Sequence, residues 1–184
     1  MNNIKVAVIG ANGVGKTCLL VQLTRNTFNE DYTPTIQDMF EKKITYQGQE
    51  YTLKITDTGG KDENANLTDS AIKESDAFVL VYSIISENSF TKVQDNYQKI
   101  KQLNPKNSNR IVIAGTKSDL ESERMVPEKK AFDYSVQISA GFFESSAKTN
   151  TNVTDIFSTV VQKYVLYPNQ DSSKDGEGGC CILI

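Results

Sequence analysis

The chain of 184 residues contains no histidine, so the side chain that most often serves as a near-neutral general base is missing. Any catalysis must run on positioning, on a metal ion and on lysine electrostatics. Cysteine is scarce as well, with three in all: Cys18 in an amphipathic stretch, and Cys180 and Cys181 close to the last residue. That placement fits no disulfide framework and points to a reducing, cytosolic compartment. Long hydrophobic runs are lacking, and none approaches the length needed to cross a bilayer. The opening residues carry no secretory apolar region, and Asn2 stands where N-myristoylation requires glycine. Nor is there an excess of positive charge. Twenty Lys and Arg against 23 Asp and Glu leave a net charge of −3, which weighs against non-specific nucleic-acid binding.

What is present suits one domain with a real core. Short apolar runs at 4–9, 40–46, 51–56, 77–82, 110–114 and 141–143 read as strands, and helical patterns alternate with them. Gln47-Gly48-Gln49-Glu50 reads as the connection of a β-hairpin between the second and third runs. Stripes at Phe90, Val93, Tyr97, Ile100 and at Val153, Phe157, Val160, Tyr164 predict core-facing helices. Ser86 is placed to cap the first of these, and Pro105 follows its end. The expected fold is α/β in three layers. A six-stranded, mostly parallel sheet with one antiparallel edge strand carries helices on both faces. Ligands on such sheets bind beyond the carboxyl ends of the strands.

Gly10-Ala11-Asn12-Gly13-Val14-Gly15-Lys16-Thr17 spells G-x-x-x-x-G-K-[ST] between the first strand and a helix opening near Gly15. This is the setting of a phosphate-binding P-loop. Glycines let backbone N–H groups point at phosphate oxygens, and the helix N-terminus adds positive potential. Lys16 is expected to reach the outer phosphates and the Thr17 hydroxyl to ligate Mg²⁺. Asp57, opening Asp57-Thr58-Gly59-Gly60 after the third strand, is expected to hold the same metal directly or through water.

Thr116-Lys117-Ser118-Asp119 follows the fifth strand and Ser146-Ala147-Lys148 the sixth. Guanine presents two adjacent donors, N1–H and the 2-amino group, and the Asp119 carboxylate can accept from both. Adenine lacks that pair and would leave the acid unsatisfied, a mismatch that sites reject by on the order of 10⁴-fold or more. The Ala147 N–H is suited to guanine O6, and the stems of Lys117 and Lys148 can pack near the base. The ligand expected from these four motifs is GTP or GDP with Mg²⁺.

In that ordered set the chain resembles the Ras superfamily of small GTPases over residues 4–166, and again at its C-terminus. Tyr32-Thr33-Pro34-Thr35-Ile36-Gln37-Asp38 and Gly48-Gln49-Glu50-Tyr51 look most like the Ras, Rap and Rheb branch. The resemblance implies that Phe28 stacks on the base, and that Thr35 and the Gly60 N–H close onto the γ-phosphate, Thr35 also onto Mg²⁺. It adds Asn12, Gly13, Val14, Gly15, Cys18, Tyr32, Pro34 and Leu120 to the nucleotide site. It makes Ile36, Gln37, Asp38, Met39 and Phe40 an effector surface. Effectors, an exchange factor and a GTPase-activating protein are the implied partners of a monomer. Thr116 departs from the asparagine usual in Ras proteins but resembles Rho proteins.

The second switch of the family typically reads Asp-Thr-Ala-Gly-Gln, whereas this chain has Asp57-Thr58-Gly59-Gly60-Lys61. Lys61 therefore stands where a glutamine would orient the attacking water, and slow hydrolysis is expected. Asn12 replaces a glycine and adds bulk where an arginine finger would enter. A second reading is a nucleotide-loaded interaction scaffold that hardly hydrolyses and is controlled by exchange. A third, a small-metabolite kinase, is opposed by Asp119 and the Ser146-Ala147-Lys148 turn.

Cys181-Ile182-Leu183-Ile184 fits a C-a-a-X prenylation signal, with a last residue that favours geranylgeranyl. The division expected is a G domain over 1–167 and a polar, Gly-rich flexible tail over 168–184. Between Pro168 and Gly179 the tail has one lysine against three acids, so it offers no polybasic second anchor. Cys180, acylated or prenylated, is the remaining candidate. The cytoplasmic face of a membrane is the expected location, with a cytosolic fraction.

Overall fold

The run Val6-Ala7-Val8-Ile9 is buried at every position, because its strand lies at the centre of the sheet with both faces covered. The computed structural model describes residues 2–28, 38–59 and 65–168. In it β1 (Asn2–Gly10) pairs in parallel with β3 (Gln49–Asp57) and with β4 (Ala77–Ser83). β5 (Ile111–Thr116) and β6 (Gly141–Glu144) extend the parallel sheet, and β2 (Asp38–Tyr46) joins β3 antiparallel. The order is β2-β3-β1-β4-β5-β6. The expected α/β architecture is the observed one, with β2 as the antiparallel edge.

The hairpin is tighter than the sequence reading. Strand pairing runs to Tyr46↔Gln49, leaving only Gln47 and Gly48 in the loop. Both have positive φ, 50° and 78°, the type I′ geometry whose twist matches that of paired strands.

Among the described residues, five α-helices cover the sheet: α1 (Lys16–Arg25), α2 (Ala65–Glu74), α3 (Glu87–Leu103), α4 (Glu128–Gln137) and α5 (Val153–Leu166). On one face Leu19 and Leu20 of α1 and Ile156, Phe157 and Val160 of α5 pack with Ile4, Val6 and Val8. On the other, Ile72 of α2, Phe90, Val93 and Ile100 of α3 and Ala131 of α4 pack with Ala7, Ile9 and Leu80. Ser86 caps α3 as expected, accepting from the Ser89 N–H at 3.4 Å.

The fifth strand starts later and runs further than 110–114. Arg110 stands just before it, 1% exposed, where its guanidinium donates to Asn107 Oδ1 (2.9 Å) and to the Tyr167 carbonyl beyond α5 (2.7 Å). It also lies 4.8 Å from the Tyr164 ring centroid. The strand runs on to Thr116, whose side chain is buried at the site end. No helix among the described residues is long and apolar enough to cross a membrane.

Candidate functional site

Every sequence-predicted motif that the structure describes gathers at the carboxyl ends of the strands. The turn from β1 to α1 is built by glycine for two separate reasons. At Gly10 a Cβ would sit 2.2 Å from the Val81 carbonyl oxygen, so only glycine lets β1 pass β4 there. Gly13 and Gly15 adopt φ of +73° and +96°, the left-handed region that suits residues without Cβ. Gly15 directly precedes α1, which opens with no side-chain cap. Its first N–H groups thus face the loop with the helix dipole behind them, an arrangement that attracts anions.

Lys16 is 4% exposed and donates from Nζ to Gly10 O (3.0 Å) and Ala11 O (2.8 Å). Desolvation lowers its pKa to about 8, against the opposing pull of Asp57. Two neutral carbonyls compensate a buried ammonium poorly, and a phosphate would do so far better. The Thr17 hydroxyl donates to Asp57 Oδ2 at 2.5 Å, and the Gly59 N–H to Asp57 Oδ1 at 3.4 Å. Asp57 is fully buried, and that burial raises its pKa although Thr17 and Lys16 oppose the rise.

A hydroxyl and a desolvated carboxylate are the hard oxygen donors that Mg²⁺ takes. No group of three or more acidic or thiol side chains converges among the described residues. A metal at Thr17 and Asp57 would therefore complete its shell with phosphate oxygens and water, the usual habit of Mg²⁺. The residues fit the ion.

At the other end, the loops after β5 and β6 are knitted together. Ser146 Oγ, fully buried, donates to Asp119 Oδ1 at 2.6 Å and accepts from the Thr149 N–H at 3.2 Å. The Ser118 N–H donates to Ser145 O at 3.1 Å. Lys117 takes a left-handed φ of 63°, and the Leu120 N–H closes back on its carbonyl at 2.9 Å. Thr116 Oγ1 lies within hydrogen-bonding distance of Val14 O and, at 2.9 Å, of Tyr82 O. One hydroxyl proton serves one acceptor at a time. Either way Thr116 ties the β5 end to its neighbours without reaching for a base.

Asn12, Gly13, Gly15, Lys16, Thr17 and Cys18 share one cleft of about 500 Å³ with Phe28, Thr116, Lys117, Asp119, Leu120, Ala147 and Lys148. That volume suits a nucleotide-sized ligand. Val14 is buried behind the loop, and Ser146 acts from behind Asp119. Burial pushes the Cys18 thiol up, so it is no thiolate nucleophile. Asp38, Met39 and Phe40 open edge strand β2, with Met39 75% exposed. Tyr32, Pro34, Thr35, Ile36, Gln37, Gly60, Lys61, Cys180 and Cys181 lie outside the described residues.

Sequence reasoning missed a clamp behind the base loops. Arg124 donates to Glu121 through Nε (2.8 Å) and Nη2 (2.6 Å), and to Glu144 through Nη1 (2.7 Å) and Nη2 (2.6 Å). Glu121 follows Asp119 by two residues, and Glu144 precedes Ser146 by two. One guanidinium thus ties the loop after β5 to the last residue of β6, from which the second loop departs. Glu144 also accepts from Tyr82 OH at 3.3 Å. No local signal marks Arg124, since its link to Glu144 spans 20 residues.

Fold and loop together define a P-loop nucleotide-binding protein. The Ras family model matches residues 5–166. Ras-like protein rasX of Dictyostelium discoideum is 37% identical over 180 residues, covering 96% of this chain and 84% of that protein. Ras-like protein rasC of the same organism is 34% identical over 185 residues, covering 98% of each. The chain belongs to the Ras family of small GTP-binding switch proteins.

Proposed function

We propose that this chain is a lipid-anchored guanine-nucleotide switch with slow intrinsic GTP hydrolysis. The observation that carries the guanine assignment is the Asp119 carboxylate, fixed by Ser146 at 2.6 Å and lining the same cleft as Lys16 and Thr17. A purine with adjacent donors satisfies that acid while its phosphates satisfy the ammonium and the bare helix end.

In the proposed reaction GTP transfers its γ-phosphoryl group to water. The α1 N-terminus and Lys16 bind the phosphates, and the left-handed glycines let the backbone approach them. Thr17 and Asp57, with Thr35 by family resemblance, would hold Mg²⁺, which neutralises charge on the β- and γ-phosphate oxygens when bound. Lys61 presents three donors and no acceptor, so it cannot align a water as a glutamine amide does. Attraction of Lys61 to the γ-phosphate in ground and transition state alike adds nothing to kcat. Gly59 adopts φ +61°, so glycine suits the turn between Asp57 and this position.

By the family resemblance, Thr35 and the Gly60 N–H would close onto the γ-phosphate in the GTP state, and effectors would read the surface that opens β2. Residues 1–167 form the nucleotide-binding unit, and the tail beyond them carries the lipid at Cys181, with Cys180 as a second attachment. A near-inactive scaffold governed by exchange is the competing reading, favoured by Asn12, Gly59 and Lys61. Denaturing the purified protein and identifying the released nucleotide tests the assignment. GTP or GDP is expected, with excess GTP if turnover is crippled; release of adenine nucleotides would overturn it.

A further inference from the structure

Helix α1 ends at Asn26, whose φ of 53° is left-handed and whose N–H donates to Gln22 O at 3.0 Å. Thr27 and Phe28 follow directly, and Phe28 reaches the cleft wall with 38% of its surface exposed. Ala147 lines the same cleft from the loop after β6. Between these segments lies the side chain of Gln22, 7% exposed.

The Gln22 carboxamide faces two backbone carbonyls. With its nitrogen toward them it donates to Thr27 O at 2.9 Å and to Ala147 O at 3.3 Å. The opposite orientation would set its buried oxygen against two acceptors, an unsatisfied arrangement that costs stability. One buried amide therefore joins the peptide before Phe28 to Ala147 itself. The Asn26 carboxamide lies 3.2 Å from that of Gln22 and 3.2 Å from that of Asn150, on the far side of the same loop. The end of α1 is also pinned toward the sheet, where Lys42 Nζ donates to Leu23 O at 2.8 Å.

We infer that Gln22, extended by Asn26 and Asn150, is a clasp that holds the two walls of the base pocket together and sets the residence time of the nucleotide. The inference rests on the guanine reading of the cleft. Phe28 and Ala147 belong to segments far apart in the chain, and a bond from the Ala147 N–H to guanine O6 holds only while the gap between them stays closed. Gln22 touches neither base nor phosphate. It acts as a positioning residue, by holding the Ala147 carbonyl and with it the residue whose N–H would face the base.

Gln22→Met keeps the length and apolar stem of the side chain and removes both donated bonds. Release of ribose-labelled GDP from the full chain with Mg²⁺, followed by fluorescence, should be about tenfold faster, as expected for two modest hydrogen bonds. The diphosphate of 2-aminopurine riboside has no O6 for the Ala147 N–H. Its release, already faster from the wild type, should accelerate by about twofold or less. Equal acceleration of both nucleotides would mean general loosening and would overturn the clasp, as would unchanged GDP release. Asn150→Gly, which removes the amide and tolerates the left-handed φ of 56° at this exposed position, should speed GDP release about twofold, and no change there would also count against it. Failure of the wild type to retain GDP at all would instead remove the guanine reading on which the clasp depends.

Discussion

A lysine cannot do for water what a glutamine does, and that single position governs the expected rate. Lys61 can pull on a phosphate but offers nothing to accept a proton from the attacking water. Single-turnover hydrolysis by the wild type is expected below about 10⁻⁴ s⁻¹, slower than the Ras-type reaction that sets the scale. Lys61→Gln should raise it severalfold, and a variant no faster than wild type would clear Lys61 of blame. Other residues of the site differ in how far the sequence discloses them. Gly10, Gly15, Lys16 and Thr17 are legible because their chemistry is local: one turn must bend, bind and start a helix within eight residues. Asp119 and Ala147 are legible because each follows a strand. Phe28 is different, since an aromatic reads as core on residue type alone, yet it stands 38% exposed at the cleft. Gln22 and Arg124 give no signal at all, because their work is done on partners distant in the chain.

At the scale of elements, burial on both faces marks β1, β4 and β5 and explains why these strands were legible to within one or two residues at their ends. Helices α3 and α5 showed through their apolar stripes, which the structure buries. Helix α4 did not. It turns Phe132 and Val136 outward, 51% and 61% exposed, and buries Ala131 and Ser135 instead, so hydrophobicity does not trace its inner face. In α2 the buried residues Ala71 and Ile72 are adjacent, which makes no periodic stripe. The loops that join β5 to α4 and β6 to α5 depend on Arg124 for their mutual position. Arg124→Met would leave Glu144, whose side chain is 12% exposed, without its cation. Removing one partner of a buried pair costs about 3–5 kcal/mol, and residual solvent contact here reduces the figure to about 2 kcal/mol. Urea denaturation should report that loss, together with faster GDP release. Arg124→Lys should recover only part of it, because an ammonium cannot form two forked contacts. Unchanged stability in Arg124→Met would show the clamp to be dispensable.

At the scale of the whole molecule, a sheet whose strand ends build the cleft is joined, on the proposed reading, to a chain end that would carry a lipid. One prenyl group gives only marginal membrane residence, and the tail has no basic cluster to add to it. Cys181→Ser should abolish membrane association in cell fractionation, and Cys180→Ser should shift a prenylated protein substantially toward the soluble fraction. Equal membrane retention of wild type and Cys180→Ser would refute the two-signal anchor. None of this alters the question of which purine the cleft selects, and that selection rests on Asp119. Xanthine carries a carbonyl where guanine carries its 2-amino group, so an amide that can donate should prefer it to guanine. The decisive measurement is competitive binding of guanosine and xanthosine diphosphates to Asp119→Asn in the presence of Mg²⁺. A reversal of preference toward the xanthosine nucleotide is predicted; a variant that still favours the guanosine nucleotide as strongly as wild type would contradict it.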